Sequence, residues 1–179
     1  GDALHQRAGS RAVIDLHGRL DRVVCLGCGD EQPRTELQLR MNAANADWQP
    51  RDAAAAPDGD ADIDAAAARK FVPPHCTRCG GMLKPDVVFF GENVPRLRYA
   101  QAVAALEAAD AMLVVGSSLM VYSGYRFCER ASTLGKPIAA INRGRTRADP
   151  LFALKVERPC AEALGELAGR LDQIGIGAR

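Results

Sequence analysis

The chain has 179 residues, 47% of them hydrophobic and 25% charged, enough to bury a substantial core as one large domain or one domain with a small module. A formal net charge of +1 argues against a broad nucleic-acid footprint, because neutralising many phosphates takes an excess of Lys and Arg on one face. No apolar run approaches the roughly 18 residues of a membrane span, and Gly1 to Ser10 lack the basic-then-apolar order of a signal peptide, so a cytoplasmic chain with no membrane or nucleic-acid partner is expected.

The opening stretch, GDALHQRAGS, is polar and has no initiator Met, which reads as the interior of a longer sequence. In AVIDLHGRLDRVV the apolar runs Ala12 to Ile14 and Val23 to Val24 flank Gly18, predicting two short strands around a turn, with His17 at a strand end. Residues 51–70 collapse to Ala, Asp, Gly and Pro, predicting a solvated insert with one short Ala-rich helix after Asp62 or Asp64 as N-cap. An acidic docking loop is the alternative there. The single Trp, Trp48, is expected to pack the module around it.

After Gly91 the pattern turns regular. Leu97, Ala100, Gln101, Ala104 and Ala108 share a helical face, and AMLVVGSSL follows as a fully buried strand ending in small residues. A helix from about Gly124 to Leu134 stops at Gly135, PIAAIN forms the next strand, and Ala161 to Leu171 a closing helix. This alternation predicts an α/β fold, half of a doubly wound sheet with parallel strands.

Cys25-Leu-Gly-Cys28 and Cys76-Thr-Arg-Cys79 are two Cys-x-x-Cys pairs, each beside glycines. Two such tight turns can complete a tetrahedral shell of four thiolates, which suits one structural zinc ion and leaves no open position for catalytic water. A redox dithiol needs one pair, with a helix N-terminus to lower the first thiol, and neither pair opens a helix; unliganded thiols are the remaining alternative. His75 is a substitute ligand only if a Cys fails. Cys128, inside a predicted helix, reads as a small buried hydrophobe.

Ligands of open α/β sheets bind beyond the carboxyl ends of the strands. Here those ends carry Gly116-Ser117-Ser118 and Asn142-Arg143-Gly144, which offer close backbone approach, hydroxyls and an amide to a ribose or purine edge. Ordinary turn chemistry would account for either alone. No Gly-x-Gly-x-x-Gly occurs, so the nucleotide half-site is incomplete.

Taken in order, LHQRAGS, LHGRL, the two cysteine pairs, KPDVVFFGE, VVGSSLMV and AAINRG resemble the sirtuins, NAD-dependent protein lysine deacylases, from Gly1 to about Leu171. The similarity is greatest to the mitochondrial and bacterial branch with longer zinc modules. It implies a Rossmann-like parallel sheet (residues 1–24 and 82–179, upstream part missing) plus a small zinc-ribbon module over 25–81 that carries the insert. It implies NAD and one zinc ion as cofactors, acyl-lysine proteins or peptides as partners, and a monomer.

The resemblance further assigns roles. His17 is the general base that takes a proton from the NAD ribose hydroxyls, imidazole titrating near working pH. Gly116, Ser117 and Ser118 hold the adenosine ribose; Asn142, Arg143 and Gly144 lie on the adenine side; the Cys160 backbone touches adenine; Asp2 reads the nicotinamide carboxamide. VVFFGE is the peptide-binding strand, with Val88 and Phe90 lining the acyl-lysine tunnel, and Gly91 and Glu92 with Met120 and Val121 opposite pairing with the peptide by strand addition. In the implied reaction the acyl oxygen attacks the ribose carbon as nicotinamide leaves, and the products are free lysine and acyl-ADP-ribose.

Departures from the family pattern are the absent Gly-Ala-Gly-Ile-Ser phosphate loop and flexible cofactor loop, the missing Gln and Asn before Asp2, Gly1 in place of Val or Ile, and no Pro at Tyr122-Ser123. The expectation is a C-terminal part of a sirtuin that does not bind NAD productively by itself. A non-enzymatic, zinc-stapled peptide-binding module is the alternative. The acyl group removed, and deacylation against ADP-ribosyl transfer, stay open at this level.

Overall fold

A computed structural model describes residues 2–48 and 65–175. The chain forms two compact units, one reaching to Asn93 and the other beginning at Val94. The expectation from sequence instead joins residues 1–24 and 82–93 to the second of these.

The first unit contains α1 (Leu4–Arg7), β1 (Gly18–Cys25), β2 (Glu31–Pro33), α2 (Arg34–Ala44), α3 (Ala65–Ala68) and β3 (Leu83–Val87). Its sheet has the order β2-β1-β3, antiparallel throughout. Val23 and Cys25 point inward from β1 two residues apart, as the pleat requires. The β1–β3 register jumps from Gly18↔Val87 to Val23↔Pro85, a bulge that bends the ladder. Pro85 is tolerated because β3 is an edge strand.

Three expectations change in this unit. Ala12 to Ile14 forms no strand: β1 already has β2 and β3 as its two neighbours, so no edge of it is left to pair. The helix α2 was not foreseen, since Leu37, Leu39 and Met41 alternate and favour neither a helical nor a clean strand face; only Leu37 is buried. VVFFGE is not a strand beyond Val87. Glu92 accepts from the Phe89 N–H (3.0 Å) and Lys84 Nζ (2.9 Å), its own N–H donates to the Phe89 carbonyl, and Gly91 turns at φ 88°. That local network outweighs the strand propensity of Val and Phe. The short Ala-rich helix is present as α3, while Asp62 and Asp64 lie outside the described residues.

The second unit contains α4 (Arg96–Ala108), β4 (Met112–Val115), α5 (Tyr122–Thr133), β5 (Ile138–Ile141), a 3-10 turn (Asp149–Leu151), β6 (Leu154–Val156) and α6 (Cys160–Gln173). Its sheet is parallel, in the order β4-β5-β6. The core gathers Leu106, Val114, Leu119, Cys128, Ala131 and Ile138. Burial of each large aliphatic side chain there contributes about 1.5–3 kcal/mol. Tyr125, Cys128 and Ala131 follow a three-residue spacing that turns one face of α5 onto the sheet. Gly135, at φ 68°, ends that helix as expected, with its N–H on the Ser132 carbonyl.

Here the expected faces shift. Leu97, Ala100, Gln101, Ala104 and Ala108 are exposed, and α4 buries Leu106 instead; with apolar residues all round this helix, its period cannot select a face. β4 is an edge strand, and only Val114 of its four residues is buried, Leu113 remaining 49% exposed. Among the described residues no helix is long and apolar enough to cross a membrane.

Candidate functional site

The two cysteine pairs fold into matching turns. In each, the carbonyl of the first Cys accepts from the N–H four residues on, Gly29 to Cys25 and Gly80 to Cys76, both at 2.9 Å. Both glycines sit in the left-handed region, at φ 73° and 72°, which explains glycine at the same place in each turn. The pairs come together: the four Sγ atoms lie within 4.8 Å of one another, with Cys25 to Cys79 at 3.5 Å and Cys28 to Cys76 at 3.8 Å. A tetrahedral zinc with Zn–S of about 2.3 Å separates its sulfurs by about 3.8 Å, so the donor set fits.

Two of these thiols are pushed in opposite directions by their surroundings. Cys25 is lowered to about 6, chiefly by the Cys28 backbone N–H and further by that of Gly27. Cys79 is lowered by the Gly81 N–H but raised more by its sulfur neighbours Cys28 and Cys25, and ends at about 12. Four sulfurs this close cannot all ionise unless a cation balances them, and a divalent ion at the centre would hold all four as thiolates. His75 is outside the cluster; its carbonyl instead accepts from Arg40 Nη2.

Two supporting residues were not foreseen. Gln32, buried on β2, donates from Nε2 toward Cys76 Sγ (3.9 Å), Thr77 Oγ1 (3.1 Å) and Asp30 Oδ2 (3.1 Å), and Arg40 Nη1 donates to its Oε1 at 3.2 Å. Such outer contacts orient ligands and temper their charge. A lone Gln in a three-residue strand carries no motif by which a sequence could reveal it.

The expected nucleotide residues assemble on the second unit. β4 and β5 run parallel in the register Val115↔Ile141, so Gly116 and Asn142 leave neighbouring strands at the same end. The Gly116 N–H donates to the Ile141 carbonyl at 3.0 Å, and Cys160 Sγ donates to the same carbonyl at 3.5 Å. Asn142 is 8% exposed and bonds from Nδ2 to the Arg143 carbonyl at 3.0 Å; Gly144 turns at φ 75°. Gly116, Asn142 and Cys160 thus converge at the carboxyl end of a parallel sheet, where open α/β folds bind nucleotides. Ser117 Oγ accepts from the Leu119 N–H at 3.2 Å, and Ser118 and Arg143 are exposed.

On the first unit, His17 is exposed immediately before β1, and its carbonyl accepts from the Val88 N–H at 3.0 Å. Asp2 Oδ1 accepts from the Leu4 N–H at 3.1 Å, a bond that holds its carboxyl below the usual carboxylate range. Val88 is half-buried, Phe90 is 100% exposed, and Gly91 and Glu92 belong to the turn after β3. Met120 and Val121 are exposed residues of the second unit, just before α5.

A family profile described as "Sir2 family" matches residues 2–123. An "NAD-dependent protein deacetylase" of Xanthomonas campestris pv. campestris (strain 8004) is 64% identical over 166 residues, which are 93% of this chain and 57% of that protein. The protein of the same name from Bordetella bronchiseptica is 60% identical, over 93% of this chain and 61% of its own length. The chain thus spans about three fifths of these relatives. Among solved structures, "Sir2-p53 peptide-NAD+" matches with a TM-score of 0.72 at 27% identity, over 98% of this chain and 61% of that one. "Structural Basis for the Mechanism and Regulation of Sir2 Enzymes" matches at 0.69 and 30%, over 97% and 59%.

Proposed function

The chain belongs to the Sir2 family, and from that premise we propose that the protein carrying it is an NAD-dependent lysine deacylase acting on acylated proteins or peptides. The observation that carries this reading is the convergence of Gly116, Asn142 and Cys160 at one end of the parallel sheet. Bound NAD supplies a ribose carbon that can lose nicotinamide and hydroxyls that can receive the acyl group.

The protein's own residues divide the work. Gly116 lets the backbone approach a ribose, with the Ser117 and Ser118 hydroxyls beside it as donors and acceptors. The buried Asn142 amide, bonded to its own turn, fixes the loop on the adenine side. His17 is assigned proton removal from a ribose hydroxyl, and Asp2 the carboxamide. Val88, Phe90, Gly91, Glu92, Met120 and Val121 are assigned to the acyl-lysine peptide. The four cysteines would supply a closed shell, so a zinc ion held there would serve structure and leave no position for a reacting water. A monomeric state and a cytoplasmic location belong to the same proposal.

The test is a panel of acyl-lysine peptides incubated with NAD and the protein at its natural length, with nicotinamide followed by chromatography and free lysine by mass spectrometry. Stoichiometric release of both is expected, with His17→Ala lowering turnover at least about 100-fold at unchanged circular dichroism. Absence of nicotinamide release from every peptide, or full turnover by the His17 variant, would overturn the reading.

A further inference from the structure

The segment Ser117–Val121 lies between β4 and α5 and contains one of the two non-glycine residues at positive φ among the described residues. Leu119 stands at φ 55°, in the left-handed region that a bulky residue rarely enters unless its surroundings impose it. Its side chain is only 7% exposed, inside the core of the second unit, and its N–H is taken by Ser117 Oγ. Burial of this side chain at that backbone angle leaves Met120 and Val121 outside, 58% and 59% exposed.

The carbonyls on the two sides of Leu119 have a common partner. Arg147, on the connection from β5 to β6, donates its backbone N–H to the Ser118 carbonyl at 2.9 Å and its Nη1 to the Met120 carbonyl at 3.3 Å. Its guanidinium also lies 4.3 Å from the ring centroid of Tyr125 and 5.7 Å from that of Tyr122, on the first turn of the helix that follows. One residue therefore brackets the strained position and stacks on the element after it. Any residue but proline could make the backbone bond; the second bond together with the ring contacts needs a planar fork.

We infer that Arg147 is a positioning residue that holds Ser117–Val121 in the form in which Ser117 and Ser118 serve the cofactor and Met120 and Val121 the acylated peptide. What the segment binds rests on the deacylase reading; the tether rests on geometry alone. Arg147 itself touches neither ligand in this assignment. Without its side chain the segment samples other backbone states, and binding is weakened by the fraction of time spent in them.

The experiment compares Arg147→Ala and Arg147→Lys with the parent, at natural length, in steady-state kinetics and amide hydrogen exchange. For Arg147→Ala the expected result is a rise of about tenfold in KM for peptide and NAD, the size of a lost charge-assisted bond, with kcat within about twofold. Exchange is expected to quicken at the amides of Leu119 and position 147 while those of β5 stay protected. Arg147→Lys, which keeps the charge but not the fork, falls between. Unchanged KM, or quickened exchange spread evenly over the second unit, would overturn the inference. If the parent deacylates no peptide, the functional reading fails, and the exchange comparison still decides whether Arg147 tethers the segment.

Discussion

A methyl group on Gly81 would stand 2.9 Å from Cys25 Sγ, close enough to force that sulfur from its place in a tetrahedral shell, and 3.2 Å from Cys79 Sγ, a tight contact that adds to the crowding. The Gly81→Ala protein is therefore expected to hold zinc at least about tenfold more weakly, in the range seen when metal-supporting residues are lost; competition with a chromophoric chelator measures it. Retention equal to the parent would show that the sulfurs yield without cost. At this scale the sequence was most legible where chemistry is local. A Cys-x-x-Cys turn brings its two thiolates together by itself, so all four ligands could be named from spacing. Gln32 and Arg40 reach the site across the fold, from β2 and α2, and no spacing encodes them. Arg147 is of the same kind: one basic residue among three in a loop, singled out only by what its fork touches.

Among elements, the connection after β5 shows how side chains shape a loop that propensity leaves open. Asp149 Oδ1 accepts from the Thr146 hydroxyl at 2.7 Å and the Thr146 N–H at 3.1 Å, and Lys155 Nζ sits at 3.1 Å. The Thr146 hydroxyl first, and then Lys155, hold the Asp149 carboxyl below its usual range. A depressed folded pKa means that the unfolded chain binds the proton more readily, so this contribution is present above the unfolded value of about 4 and is lost as pH falls through the lower folded one. Urea midpoints measured against pH should fall more steeply below about pH 4 for the parent than for Asp149→Asn; parallel curves would deny the carboxylate that role. In this unit β4, α5, β5 and α6 were legible because they follow clear periods and stops, whereas β6, only three residues long, was not foreseen. Which face each would bury was not legible for α4 or β4, since both are apolar on more than one side and their neighbours decide.

For the molecule as a whole, the two units draw their stability from different sources. The second has a shared apolar core around Ile138, Cys128 and Val114. Among its described residues the first buries few large side chains, Val23 and Leu37 among them, and its sheet and cysteine turns are tied together at the four sulfurs. Metal removal is accordingly expected to act on the first unit: a strong chelator should release one zinc per chain, change the fluorescence of Trp48, which packs against Phe71 with ring centroids 4.9 Å apart, and speed exchange in β1 and β3. Unaltered fluorescence and exchange after complete zinc loss would show that the sheet stands without the metal. Metal-dependent folding of this kind follows when a small core cannot repay the entropy of ordering the chain.

By itself the sequence determined the chemistry that is written in short range: four thiolates in two tight turns, small residues at the ends of two strands, an α/β alternation, and an ordered set of motifs sufficient to recognise the family. Only the tertiary structure decided that VVFFG bends where a strand was expected, that α4 buries Leu106, that Gln32 and Arg40 stand behind the sulfurs, and that Arg147 brackets Leu119. The physical reason is the same in each case. Local spacing fixes what neighbouring residues can do together, whereas burial, strain and hydrogen bonding between distant residues depend on which surfaces the fold brings into contact.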